Sequence, residues 1–161
     1  MGFLTDEHVS NSPDETYRIG LQLAKYLLPG SVVALEGTLG SGKTCLTKGI
    51  AFGLGITESI TSPTYTIINE YSIPPCNNLS EEKVITFTLY HIDVYRLKGD
   101  RDFEEIGGLE IINSDGIAII EWSEKIPESL PHDKITVTFD ILDTFSRLIH
   151  ISGLSILEKC K

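Results

Sequence analysis

The sequence predicts an α/β fold with a mainly parallel central sheet and antiparallel strands at one edge, and three adjacent features carry that expectation. Ser31 to Glu36 is a short, β-branched apolar run of the kind buried on both faces of a parallel sheet. A glycine-rich turn follows at once. From Lys43 the apolar positions Leu46, Ile50 and Leu54 then keep helical spacing until Gly55 closes the pattern. Strand, glycine turn and helix thus appear in order.

The remaining elements are read in chain order. Ser12-Pro13-Asp14-Glu15 combines a serine N-cap, a proline at the first helical position and a glutamate placed for a reciprocal capping box. The helix begun there carries Ile19, Leu23, Tyr26 and Leu27 on one face and ends near Leu28, before Pro29-Gly30. Thr64 to Tyr71 alternates as a strand. Ile73 to Glu82, with Pro74-Pro75 and Asn77-Asn78, reads as a loop and the best place for a variable insertion. Val84 to Tyr95 and Gly116 to Glu121 are apolar strands, separated by an acidic helical stretch from Arg101 to Ile112. Lys134 to Asp140 and Arg147 to Ser152 form an antiparallel pair joined through Leu142-Asp143-Thr144, extending one edge of the sheet. With no internal repeat or low-complexity segment, residues 1–161 are expected to form a single domain.

Composition narrows the class. Hydrophobic content of 41% with 22% charged residues is ordinary for a globular protein. No apolar run approaches the roughly 20 residues that span a bilayer, so no membrane role is expected. Met1 to Ser12 carries Asp6 and Glu7 and lacks the basic patch and apolar stretch of a secretory signal, which argues against export. Cys45, Cys76 and Cys160 are scattered without a CxxC pair, so neither a disulfide framework nor a zinc site is suggested, in keeping with a reducing cytoplasm. A net charge of −10 repels phosphate backbones, so any contact with nucleic acid would be indirect, through a protein partner.

Gly37-Thr38-Leu39-Gly40-Ser41-Gly42-Lys43-Thr44 matches the phosphate-loop pattern G-x-x-x-x-G-K-[ST]. Gly40 and Gly42 let the backbone wrap closely around a phosphate, so that N–H groups and the helix N-terminus face negative charge. Lys43 adds a mobile positive charge, and the Thr44 hydroxyl is placed to ligate Mg²⁺ bridging the β- and γ-phosphates. The fold class is therefore a P-loop NTPase-like three-layer sandwich. Such a loop needs a metal-side carboxylate at the end of a neighbouring strand, and Asp93 and Glu121 both close apolar runs. If those strands run parallel to the first, both side chains emerge beside the loop. The hydroxyls of Thr61-Ser62-Pro63-Thr64-Tyr65-Thr66 could sense a γ-phosphate or serve merely as a polar loop. His91, inside an apolar strand, reads first as a structural histidine. Asp100, Asp102, Glu104 and Glu105 read as a solvated helix face with no chemistry.

Beyond the loop, Ser62-Pro63-Thr64-Tyr65, His91-Ile92-Asp93-Val94-Tyr95-Arg96 and Glu121-Trp122 follow in an order and approximate spacing that resemble the TsaE (YjeE) ATPases of bacterial tRNA threonylcarbamoyladenosine synthesis. The resemblance covers nearly the whole chain. It implies a small cytoplasmic ATPase, using ATP and Mg²⁺, that works with TsaD and TsaB without carrying the transferred group itself. By the same resemblance Gly40, Ser41, Gly42, Lys43, Thr44 and Cys45 hold the nucleotide and Thr44 and Glu121 bind Mg²⁺. Asp93 would then act on the metal side or on the attacking water, and Ser62 and Thr64 would belong to a switch. Lys43, Asp93 and Glu121 make up the implied catalytic set. The chain departs from the family at Cys45, where a threonine or serine is usual, and in its longer loop from Pro74 to Glu82. Two rival functions remain, a small-molecule kinase and a non-hydrolysing nucleotide-dependent binding module. Against the kinase, Arg101 and Arg147 fall outside any evident lid.

Overall fold

A computed structural model describes residues 6–75 and 86–154. Seven strands join in one sheet of order β1-β7-β6-β2-β5-β4-β3. In chain order they are β1 (Glu7–Ser10), β2 (Val32–Gly37), β3 (Ile68–Ile73), β4 (Phe87–Asp93), β5 (Ile117–Glu121), β6 (Ile135–Ile141) and β7 (Arg147–Ser152). The central pairs β6–β2, β2–β5 and β5–β4 are parallel, as expected. Antiparallel pairing occurs at the predicted β6–β7 edge and also at the opposite edge, where β3 runs against β4. β1, which the sequence did not announce, adds to β7 and completes the first edge.

Among the described residues four α-helices cover the sheet: α1 (Pro13–Leu23), α2 (Lys43–Gly53), α3 (Asp100–Glu105) and α4 (Gly108–Ile112). Alternation along the strands supplies both cores. Val33, Leu35, Ile117 and Ile119 pack under Leu23, Leu46 and Ile50 of α1 and α2. Ala118, Ile120 and Ile92 face Phe103 and Ile112 of α3 and α4. The result is the expected three-layer arrangement.

Several boundaries differ from expectation for local reasons. Ser12 Oγ caps α1 by accepting from Glu15 N at 3.2 Å. The Glu15 carboxylate, however, accepts from Asn11 N at 2.7 Å, one residue before the predicted partner. α1 gives way at Leu23 to a 3₁₀ turn over Ala24–Tyr26. The strand expected from Thr64 begins only at Ile68, because Ile67 N donates to Pro63 O at 2.9 Å and closes a turn with Ile67 at φ 66°. The helix expected from Arg101 to Ile112 is two helices, broken at Gly107. Cys76, Cys160, Val84 and most of the predicted insertion loop lie outside the described residues; Cys45 is a free thiol. Among the described residues no helix is long and apolar enough to cross a membrane.

α1 and α2 meet backbone to backbone. A Cβ placed on Gly20 would lie 2.2 Å from Leu46 O, and one on Gly49 would lie 2.0 Å from Tyr17 O. Only glycine at these two positions permits so close a crossing.

Candidate active site

β2 is buried from Val32 to Leu35 and ends at Gly37, where the chain must turn sharply into α2. Gly40 at φ 75° and Gly42 at φ 108° supply backbone conformations that side-chain-bearing residues rarely adopt. Gly42 caps α2, so the first N–H groups of that helix, which have no acceptors within it, face the turn. Lys43 is only 5% exposed. Its Nζ donates to Gly37 O at 2.6 Å and Thr38 O at 3.0 Å, and lies 4.0 Å from the centre of the Trp122 ring. Burial lowers its pKa from the usual lysine value, against the opposing pull of Glu121, Glu124 and Asp93.

Parallel registry brings the carboxylates to the same place. Leu35 lies beside Glu121 in the β2–β5 pair, and Asp93 lies beside Glu121 in the β4–β5 pair. Glu121 is buried and accepts from Thr44 Oγ1 at 3.0 Å and 3.3 Å through its two oxygens. His91 is fully buried, with Nε2 2.7 Å from Glu121 Oε1, so the histidine read first as structural touches the site directly. Asp93 accepts from Tyr95 N at 2.9 Å and lies 3.5 Å from Ser62 Oγ. Burial raises its pKa above the usual aspartate value, which makes the ionised carboxylate a stronger base.

All ten residues proposed from sequence for this site line one cleft of about 410 Å³: Gly40, Ser41, Gly42, Lys43, Thr44, Cys45, Ser62, Thr64, Asp93 and Glu121. Tyr95, Arg96 and Trp122 also line it, although the sequence reading gave them no role. Arg96 stacks on Tyr65 with its guanidinium carbon 4.6 Å from the ring centre. Trp122 sits at φ 62°, a conformation costly for a bulky residue, and that reversal immediately after Glu121 turns its ring over Lys43. Its signal was its position next to a strand-end carboxylate. Arg147, read from sequence only as outside any evident lid, has a contact that reading did not suggest: its Nη2 donates to Gly40 O at 3.1 Å, beside the glycine loop. Only the tertiary placement of β7 reveals this. Arg101 does lie away, in an exposed pair with Glu105 at 3.1 Å.

A smaller hollow of about 200 Å³ opens on the other side of the loop, lined among others by Ser12, Thr16, Cys45, Phe145 and Arg147. The two cavities share Gly40, Ser41, Gly42 and Cys45, so the loop forms the ridge between them.

The donor chemistry fits magnesium and a polyphosphate. The metal side offers hard oxygen atoms from Thr44, Glu121 and Asp93, the type Mg²⁺ selects. Among the described residues no cluster of three or more His, Cys, Asp or Glu could hold a metal ion. A cation at Thr44 and Glu121 would therefore complete its shell with water and phosphate oxygens, as Mg²⁺ characteristically does. Without a cation, those carboxylates would oppose any anion brought beside Lys43.

Comparison with known proteins agrees with this architecture. The family model described as threonylcarbamoyl adenosine biosynthesis protein TsaE matches residues 10–149. The tRNA threonylcarbamoyladenosine biosynthesis protein TsaE of Treponema pallidum is 40% identical over 144 residues, covering 89% of this chain and 98% of that one. The protein of the same name from Rickettsia bellii is 36% identical, covering 95% of this chain and 99% of that one. The crystal structure of Bacillus subtilis YdiB superposes with a TM-score of 0.73 at 31% identity, covering 95% of this chain and 90% of that one. The chain belongs to the TsaE family of tRNA threonylcarbamoyladenosine biosynthesis proteins.

Proposed function

We propose that this chain binds ATP with magnesium in the larger cleft and hydrolyses it to ADP and phosphate, driving a conformational cycle of an assembly with TsaD and TsaB. The observation that supports this most is the convergence of Lys43, Thr44, Asp93 and Glu121 at the C-terminal ends of parallel β2, β4 and β5. Ligands of open α/β sheets bind at this edge.

Lys43 exchanges its contacts with the Gly37 and Thr38 carbonyls for phosphate oxygens, while the N–H groups at the start of α2 face the same charge. Thr44 and Glu121 would hold a magnesium ion, which would supply positive charge against the negative charge developing on the phosphate oxygens. Asp93, held by Tyr95 N and made more basic by burial, orients the attacking water and accepts its proton. The smaller hollow, bordered by Phe145 and Arg147, is the site for the nucleoside end. With a net charge of −10, the chain reaches tRNA only through its protein partners in the cytoplasm.

The test is Mg·ATP hydrolysis by the purified protein, alone and with TsaD and TsaB from the same source, with Lys43→Ala as the blank. Turnover raised by the partners and abolished in the blank supports the proposal. Turnover that instead requires a small-molecule acceptor would make the protein a kinase, and none in any mixture would leave a binding module.

A further inference from the structure

The geometry points to His91 as the positioning residue that decides which oxygen of Glu121 faces the cleft. This inference rests on the magnesium–nucleotide reading above and adds to it a role for a side chain that touches neither metal nor phosphate.

His91 lies on β4 beside Ile119 of β5, two residues before Asp93, and is fully buried. Its Nε2 is 2.7 Å from Glu121 Oε1. A carboxylate oxygen accepts, so Nε2 is the donor in this contact. Nδ1 is buried with no hydrogen-bond partner among the described residues. Burying an unmatched polar atom is unfavourable, and an apolar side chain would fill the same space without that cost. Packing therefore does not account for an imidazole here, whereas the hydrogen bond to Glu121 does.

The two oxygens of Glu121 are unequally engaged. Oε1 receives His91 at 2.7 Å and Thr44 Oγ1 at 3.0 Å, whereas Oε2 has only the longer contact to Thr44 at 3.3 Å. Thr44 has a rotatable hydroxyl and is itself assigned to the metal. His91 is a fully buried ring on β4, so it is the donor that stays when Thr44 reorients. With Oε1 held by His91, Oε2 is the less engaged oxygen and is left for the cleft. Partners that orient a liganding carboxylate typically change metal affinity by about 10- to 100-fold when removed.

The experiment follows the fluorescence of Trp122, the only tryptophan in the chain, whose ring lies over Lys43. Magnesium is titrated at a fixed ADP concentration, and ADP is titrated separately in EDTA, for the wild type, His91→Leu and His91→Gln. The expected result is a Mg²⁺ half-saturation raised at least about tenfold in His91→Leu. His91→Gln, which keeps a donor of similar reach, should recover to within a few-fold. Metal-free ADP binding should be equal in all three. An unchanged half-saturation in His91→Leu overturns the inference. So does a glutamine variant as impaired as leucine, which would make shape the cause, or an equal loss of metal-free binding, which would indicate general collapse. Should His91→Leu not fold, His91→Asn, whose amide is too short to reach Glu121, takes its place against His91→Gln. A wild type that binds no ADP, or binds it without regard to Mg²⁺, refutes the underlying nucleotide reading as well. That failure is visible before any variant is compared.

Discussion

Replacing Lys43 with methionine separates what the fold needs from what the ligand needs. The methionine keeps most of the apolar stem and removes the charge. Burial already lowers the lysine pKa, so the ammonium is less stable in the folded protein than in water despite three nearby carboxylates, Glu121, Glu124 and Asp93. Since its folded pKa is depressed, the charged form weakens the fold at neutral pH. Lys43→Met is therefore expected to leave the melting temperature of the free protein unchanged or raised. Nucleotide affinity should respond in the opposite sense. A hydrogen bond to a charged group contributes about 1.5–3 kcal/mol, and at about 1.4 kcal/mol per tenfold its loss weakens binding roughly 10- to 150-fold. Thermal shift measures both effects together. Ligand at 100 times the wild-type Kd stabilises by about 2.7 kcal/mol, or about 0.4 kcal/mol if affinity falls 100-fold. For a domain of this size about 2–4 °C accompanies each kcal/mol, so a wild-type shift of roughly 5–11 °C should shrink to about 1–2 °C. A free variant melting several degrees lower would refute the burial argument. A full ligand shift would refute the role of Lys43 in binding.

Three further outcomes are expected. Thr44→Val, which keeps shape and loses the hydroxyl, should weaken Mg²⁺-dependent nucleotide binding about 10- to 100-fold while sparing metal-free binding, read by calorimetry with and without EDTA; equal loss in both conditions would contradict the metal role. Gly49→Ala forces a Cβ against Tyr17 O at 2.0 Å, and overpacking of about 1–3 kcal/mol against a helix gain near 1 kcal/mol predicts a net loss of up to about 2 kcal/mol in urea unfolding. A more stable alanine variant would show that the helices part freely. Finally, Asp143 has its pKa lowered by hydrogen bonds from Phe145 N and Ser146 N. A depressed carboxylate contributes stability above its unfolded pKa and loses it as pH falls through the folded one. Stability of the wild type should therefore drop more steeply in acid than that of Asp143→Ala, and parallel pH profiles would exclude the effect.

The site was more legible than the edges of the fold. The phosphate loop announced itself because glycine conformations, a buried strand and a helix start must coincide in consecutive residues. Asp93 and Glu121 were legible because parallel strands carry their last residues to one edge. β1 was not, since Glu7–Ser10 is short and mostly exposed, and its strand state comes from pairing with β7. Thr64 to Thr66 alternate like a strand, but the turn closed by Pro63 O onto Ile67 N overrides the pattern. Arg147 illustrates the deeper limit. Its contact with Gly40 O joins positions far apart in sequence, and nothing near either residue signals the other.

The glycine crossing of α1 and α2 has a mechanical consequence. α2 begins at the phosphate loop, and α1 begins at Ser12 and Pro13, which border the smaller hollow. Because Gly20 and Gly49 place the two helix backbones in direct contact, these starting points belong to a single stiff lever. If the cleft takes nucleotide as proposed, loading and release would be governed from the opposite bank, where Ser62, Thr64 and Arg96 stand outside helices and strands rather than within that clasp. A partner seeking to control the occupancy of the cleft gains leverage on that bank, and none by prying the helices apart.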